Sequence, residues 1–307
     1  MKYGKQGKLF ILFALIIFVN LIIIGCGPSD DPESVGEVSV VDLFNGQIIG
    51  IDPGAGVMDM AETALDKYGL TDAGYELVEG SDATMAAELD RAITNNEWVV
   101  VTGWAPHWKF GKYDLKILDD PLGVFGEEET INNIVRLGLQ DDMPEVYELL
   151  DNHFWTGEDL SAAMAIAEES ESAEAAAAQW ISENQVLVET WLPINFDAEA
   201  NAGQEVTLLY VEWACASATT HIIADILENI MGYSVEIMPV SASAMYTGLA
   251  TGVGDAMVAA WLPSTHSDYM KQYNYQVEDL GPSMEGAVLG LVVPEYVKID
   301  SIEEMIN

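Results

Sequence analysis

IIGIDPGAGVMDMAETALDKYGL, Ile48 to Leu70, and VTLLYVEWACASATTHIIADILENIMGY, Val206 to Tyr233, lie about 160 residues apart and read alike. Each opens on a short apolar run rich in β-formers, breaks at a turn, and continues with apolar positions at helical spacing. Each is followed by a Ser-x-x-x-Met-x-x-x-Leu helix start: Ser81, Met85 and Leu89 in the first, Ser241, Met245 and Leu249 in the second. Each then runs into a strand and a Trp-x-Pro turn, Trp104-Ala105-Pro106-His107-Trp108 and Trp261-Leu262-Pro263-Ser264-Thr265-His266. Alternating strands and helices predict parallel-type sheets covered by helices. Two such units predict an α/β protein of two lobes with a cleft between them, and ligands of open α/β sheets sit beyond the carboxyl ends of the strands.

Working outward, the Ala/Glu-rich region from about Pro144 to Trp191 reads as packing helices, with Trp155, Trp180 and Trp191 at helical positions as core or surface anchors. The N-terminus reads as an address. Lys2, Lys5 and Lys8 precede a nearly unbroken apolar segment, Leu9 to Ile24, and Gly25-Cys26 follows. This is the pattern of a secretory signal, residues 1–25. It resembles a bacterial lipobox with Cys26 as the lipidated new N-terminus, although Ile23 and Ile24 depart from the usual Leu and small residue. The other reading is an uncleaved anchor, since 16 apolar residues fall just under the roughly 18 of a spanning helix. Residues 26–45, acidic and containing Pro, Gly and Ser, read as a flexible tether. A lipidated Cys26 leaves Cys215 without a partner, so no structural disulfide is expected.

The formal net charge is −40, and loss of the signal would leave 8 basic against 51 acidic residues. Such a surface repels nucleic acid and anionic lipid heads, so no nucleic-acid partner is expected. Hydrophobic residues make up 50% of the chain, enough for real cores, so disorder does not explain the acidity. A high-salt setting would screen the repulsion within a few ångströms; solvated acidic faces account for most individual carboxylates.

Three apolar runs end on tryptophan: Val99 to Trp104, Leu208 to Trp213 and Ala256 to Trp261. Indoles placed where loops open suggest ring faces gathered around a ligand, and a quaternary ammonium is the cation best matched to several such faces. If that cation carries a carboxylate tail, the tail needs donors. The loop Asp52-Pro53-Gly54-Ala55-Gly56-Val57 opens a predicted helix, whose first N–H groups suit a carboxylate, and glycine lets a ligand approach the backbone. His266, five residues past Trp261, is a further candidate donor. Taken singly, each has a plainer reading: a tight turn, a structural histidine, a core tryptophan. Their equivalent places in a repeated unit favour a binding cleft.

The strings GIDPGAGVM (Gly50–Met58), VVVTGWAPHWKF (Val99–Phe110) with YDLKILDDP (Tyr113–Pro121), YVEWACASA (Tyr210–Ala218), AAWLPSTHSDY (Ala259–Tyr269) and LGLVVPEY (Leu289–Tyr296) resemble the glycine betaine-binding proteins of ABC transporters, the OpuAC-type lipoproteins. The resemblance runs from about Ile48 to Asn307, in the order with the DPGAG half first. It implies a two-lobed periplasmic-binding-protein-like fold of type II with the ligand cleft between the lobes. It also implies a three-tryptophan prism of Trp104, Trp213 and Trp261 around the ammonium, and carboxylate contacts from the Gly56 and Val57 amides and from His266. His107 and Trp108 match the family string and are assigned to loop support. Some relatives carry acidic residues after the second tryptophan, where this chain has Ala214, Cys215 and Ala216; that bears on the choice among betaines.

The resulting expectation is a lipid-anchored extracytoplasmic receptor that captures glycine betaine and passes it to a membrane permease and its ATPase, with no cofactor and no chemistry of its own. Residues 46–140 would form the first lobe together with 299–307, and residues 141–298 the helical segment and second lobe. Choline, carnitine, proline betaine and ectoine are alternative ligands. An exported hydrolase would need an assembled relay; Ser264, His266 and Asp268 alternate along one turn, and no G-x-S-x-G elbow is present. Four scattered histidines offer no ligand spacing for a metal.

Overall fold

The computed structural model describes residues 38–306; the signal segment and Cys26 lie outside them. The first half runs β1 (Gln47–Ile49), α1 (Gly56–Lys67), β2 (Glu76–Val78), α2 (Asp82–Asn95) and β3 (Val101–Ala105). Next come β4 (Leu115–Ile117), β5 (Glu129–Arg136) and four helices, α3 (Pro144–Asn152), α4 (Gly157–Glu169), α5 (Ala173–Glu183) and α6 (Gln185–Trp191). The second half repeats the first: β6 (Glu205–Tyr210), α7 (Ala214–Asp225), β7 (Ser234–Pro239), α8 (Ala242–Ala250) and β8 (Ala256–Leu262). The helix α9 (Ser267–Tyr273) and the long strand β9 (Val277–Pro294) follow.

The repeat is visible in the pairing. β1 pairs in parallel with β2 and β3, and β6 pairs in parallel with β7 and β8. The strand order is β2-β1-β3-β9-β5-β8-β6-β7, so from either end it reads second, first, third, then a connecting strand. The repeated serines cap their helices alike: Ser81 Oγ accepts from Thr84 N and Ser241 Oγ from Ala244 N, each satisfying a first-turn N–H that has no helical partner.

The centre differs from the expected parallel sheets. β9 is antiparallel to β3, β4 and β5, and β5 is antiparallel to β8. β5 and β9 belong to neither repeat but carry the chain between the halves. Residues 277–287 of β9 pair with β5, and residues 288–294 pair with β3 and β4, so one strand serves both sheets. By pairing, β5 therefore goes with the second half and the end of β9 with the first, which shifts the expected boundaries. Near residue 305, Ile302 N donates to Asp119 O at 3.0 Å and Tyr75 Oη to Met305 O at 3.0 Å. Residues 39–44, placed in the expected tether, are folded: Ser39 caps a helical turn at Val40–Leu43 and Phe44 is buried against Tyr75 and Trp98; residues 26–37 lie outside the described residues.

The helices between the halves pack on the second sheet through α7, which is buried on most sides beneath α4 and α5. Trp155, Trp180 and Trp191 are core residues there. Trp180 stacks on Trp191 at 5.8 Å, and Trp155 meets both edge-on at 5.5 and 5.9 Å, the arrangement the ring quadrupole favours. Cys215 is a free, buried thiol, and no helix among the described residues is long and apolar enough to cross a membrane.

Candidate ligand-binding site

Trp104 and Trp261 occupy the penultimate positions of β3 and β8, not the turns after them, and Trp213 is the residue before the first turn of α7. Equivalent strand ends of the two halves thus face one another, and all three indoles line one cavity. Ile51, Val57, Cys215, Thr265, His266 and Leu289 complete the wall. Five of the six expected site residues, Trp104, Trp213, Trp261, Val57 and His266, therefore meet around the same space. Gly56 sits beside it, buried, at the first position of α1.

Its lack of a side chain is what lets the halves approach. A Cβ on Gly56 would lie 2.2 Å from the Thr265 carbonyl oxygen and 2.6 Å from Thr265 Cγ2. Gly54, with φ of 87°, supplies the left-handed turn before the helix, and its carbonyl accepts from Tyr269 Oη at 3.0 Å. The Gly56 and Val57 N–H groups stand in the first turn of α1, where no helical carbonyl reaches them; the residue before it, Ala55, provides no side-chain cap.

His266 has one role fixed by geometry. Its Nδ1 accepts from Trp261 N at 3.1 Å, and burial pushes it down to about 4, so the ring is neutral and its proton resides on Nε2. That Nε2–H is buried without a protein partner, an uncompensated donor in the wall of an aromatic cavity. Thr265 is anchored in turn: its N–H and Oγ1 both donate to Glu129 Oε1 at 2.9 Å, while burial pushes the Glu129 carboxyl upward.

Two carboxylates of the first half fix Trp213 and its helix. Asp52 Oδ2 accepts from Trp213 Nε1 at 3.2 Å, and Asp82 Oδ2 accepts from Ala214 N at 2.8 Å, a charge placed at the positive end of α7. His107 Nδ1 accepts from Lys109 N at 3.2 Å, so its Nε2 donates to Asp82 Oδ1 at 3.3 Å. Burial, reinforced by Lys109, pushes His107 down to about 4. Burial works to raise Asp82, but the His107 bond, the Lys109 charge and the Ala214 N–H hold its carboxyl below the usual range. His107 is thus a support for the loop. Asp82, Glu129 and Leu289 are site or supporting residues that sequence reading did not single out; Asp82 directly follows the capping Ser81 and Leu289 opens LGLVVPEY, the two local signals available.

An aromatic cavity with unpartnered N–H donors can hold a molecule that is cationic at one end and anionic at the other. Among the described residues, no group of acidic, histidine or cysteine side chains is arranged to hold a metal ion. The sequence pattern of OpuAC, the substrate binding domain of ABC-type glycine betaine transport system, matches residues 30–183 and 204–307. The chain belongs to the OpuAC family. Within that family it is 40% identical over 303 residues to the glycine betaine/carnitine transport binding protein GbuC of Listeria monocytogenes, covering 97% of this chain and 98% of that one. Among solved structures, lactococcal OpuAC in its closed-liganded conformation complexed with glycine betaine is 42% identical, with a TM-score of 0.46 over 53% of this chain and 65% of that chain. The glycine/betaine/L-proline-binding protein ProX from Borrelia burgdorferi is 35% identical, with a TM-score of 0.45 over 53% and 64%. Both solved chains are matched over less than two thirds of their length. An OpuAC-family chain is a transport substrate-binding protein.

Proposed function

We propose that this OpuAC-family protein captures glycine betaine outside the cytoplasm, anchored by lipid on Cys26, and delivers it to an ABC permease driven by its ATPase. The trimethylammonium head would sit among Trp104, Trp213 and Trp261. The carboxylate would take the Gly56 and Val57 amides and the His266 Nε2–H. The observation that carries this reading is the neutral, buried, unpartnered His266 donor in the same wall as three indoles, since a bare cation would leave that donor unmatched. Each indole contributes roughly 0.5 to 2 kcal/mol, so three supply about 1.5 to 6 of the roughly 8 kcal/mol of a micromolar complex. The two halves would close on the ligand, since the Gly56–Thr265 approach and the Tyr269–Gly54 hydrogen bond join elements of different halves.

The relative's name pairs glycine betaine with carnitine, which keeps the same head and tail on a longer chain and is the second ligand to try. Calorimetric titration of the chain from residue 27 onward with glycine betaine, carnitine and choline tests the assignment. Saturable one-to-one binding that prefers the zwitterions is the expected result; equal or tighter choline binding overturns the carboxylate contacts.

A further inference from the structure

A buried charge stands directly behind the aromatic wall. Lys109 has no exposed surface, and its Nζ makes no hydrogen bond. That Nζ lies 4.5 Å from the Trp104 ring centroid, within cation–π range. Space for it exists because residue 103 is glycine: a Cβ there would come 3.3 Å from Nζ and 2.4 Å from Val292 Cγ2. Trp104 lines the cavity and Lys109 does not, so the indole is the partition between the ammonium and the ligand space.

None of the groups facing Lys109 bonds to its Nζ, and the Asp82 carboxylate opposes its charge only from beyond salt-bridge distance. Asp82 acts on it from the start of α2 and Cys215 from α7, while His107 shares its turn and accepts its backbone N–H. Both Asp82 oxygens are already engaged, by His107 and by Ala214 N. His107 is neutral, and burial pushes the Cys215 thiol up to about 12. Burial pushes Lys109 itself down to about 8, which leaves it protonated at neutral pH.

We propose that Lys109 is a specificity-determining residue, a fixed positive charge behind Trp104 that selects zwitterions over net cations. This rests on the betaine reading of the cavity. An ammonium held on the cavity side of Trp104 would lie roughly 9 Å from Nζ. At an effective dielectric constant of about 20, that repulsion weakens a simple cation about twentyfold. A zwitterion whose carboxylate lies about 3 Å farther away recovers most of it, leaving about a twofold loss. Lys109 alone therefore shifts the betaine-to-choline ratio by about tenfold, and the Asp82 charge, present in wild type and K109M alike, drops out of the change between them.

The test is calorimetric titration of the wild type, K109M and K109R with glycine betaine and with choline at pH 7, with thermal unfolding as the check on folding. K109M is expected to gain choline affinity about tenfold relative to betaine, and K109R, which keeps the charge, to retain the wild-type ratio. A K109M protein that binds betaine with an unchanged betaine-to-choline ratio overturns the role of Lys109 and leaves the cage standing. A wild type that binds neither ligand overturns the cage and this inference together. If K109M does not fold, the wild type alone decides: the preference for betaine is expected to fall as pH rises through about 8, and a flat ratio to pH 9.5 refutes the proposal.

Discussion

Gly56→Ala isolates closure of the halves from folding. A methyl at position 56 would meet the Thr265 carbonyl oxygen at 2.2 Å and the Thr265 carbonyl carbon at 2.9 Å. The oxygen contact is about 1 Å inside ordinary van der Waals separation. Relief by side-chain rotation is excluded, because the carbonyl is main chain and Thr265 is tied to Glu129 by two hydrogen bonds. Separating the halves removes the clash at no local cost, since Gly56 is not among the positive-φ residues and alanine suits the first position of a helix. Overpacking costs about 1 to 3 kcal/mol, and if it falls wholly on the closed form, betaine affinity drops about 5- to 150-fold. Calorimetry measures that drop, and thermal unfolding without ligand measures the fold, whose midpoint is expected to stay within a few degrees of wild type. Wild-type affinity in Gly56→Ala, or a large loss of stability without ligand, refutes the reasoning.

Trp261→Ala is expected to cost up to about 2 kcal/mol of affinity, roughly thirtyfold, with the fold retained; unchanged affinity by calorimetry means the ammonium lies elsewhere. His266→Leu is expected to weaken betaine while leaving choline nearly unaffected, and an equal loss for both ligands in paired titrations contradicts its assignment to the carboxylate. Trp155→Ala, in the indole stack far from the ligand in sequence, is expected to lower stability by about 3 to 5 kcal/mol on denaturant unfolding, and a loss below 1 kcal/mol contradicts its core role. His107, His153 and His266 are pushed down to about 4, 3 and 4, by burial first. The unfolded chain therefore binds more protons below pH 6.5, and stability falls as pH drops from 6.5 toward 4, each histidine adding up to about 1.4 kcal/mol per pH unit; unfolding midpoints that stay flat over that range contradict their burial as neutral rings.

The parts of the site legible in the sequence were those that break a local rule. Indoles at the ends of apolar runs stand out because strands ordinarily close in small polar residues, and the repeated Ser-capped helix starts fix the register of the two halves. The supports were illegible because their partners are remote: Asp82 meets Ala214 across 132 residues and Glu129 meets Thr265 across 136. No window of sequence marks such a carboxylate among 51 acidic residues. The connecting strands were hidden for a related reason. β9 runs on as one strand where it passes from one sheet to the other; Gly286, at φ 80° beside the hand-over, is a single-residue irregularity, and only the partners reveal the change.

That shared strand also dictates an order of assembly. β3 and β4, made early in synthesis, are completed by residues 288–294, and Tyr75 finds its acceptor at Met305. The first half therefore cannot finish folding until residues 288–305 have emerged, and its apolar strands wait through the synthesis of the other half. Such long-range pairing is slow and exposes unpaired edges. For a chain that reads as exported, the delay is useful: it postpones a stable core in the first half until the second half has been made, and it makes residues 288–305 as necessary to the first half as its own strands.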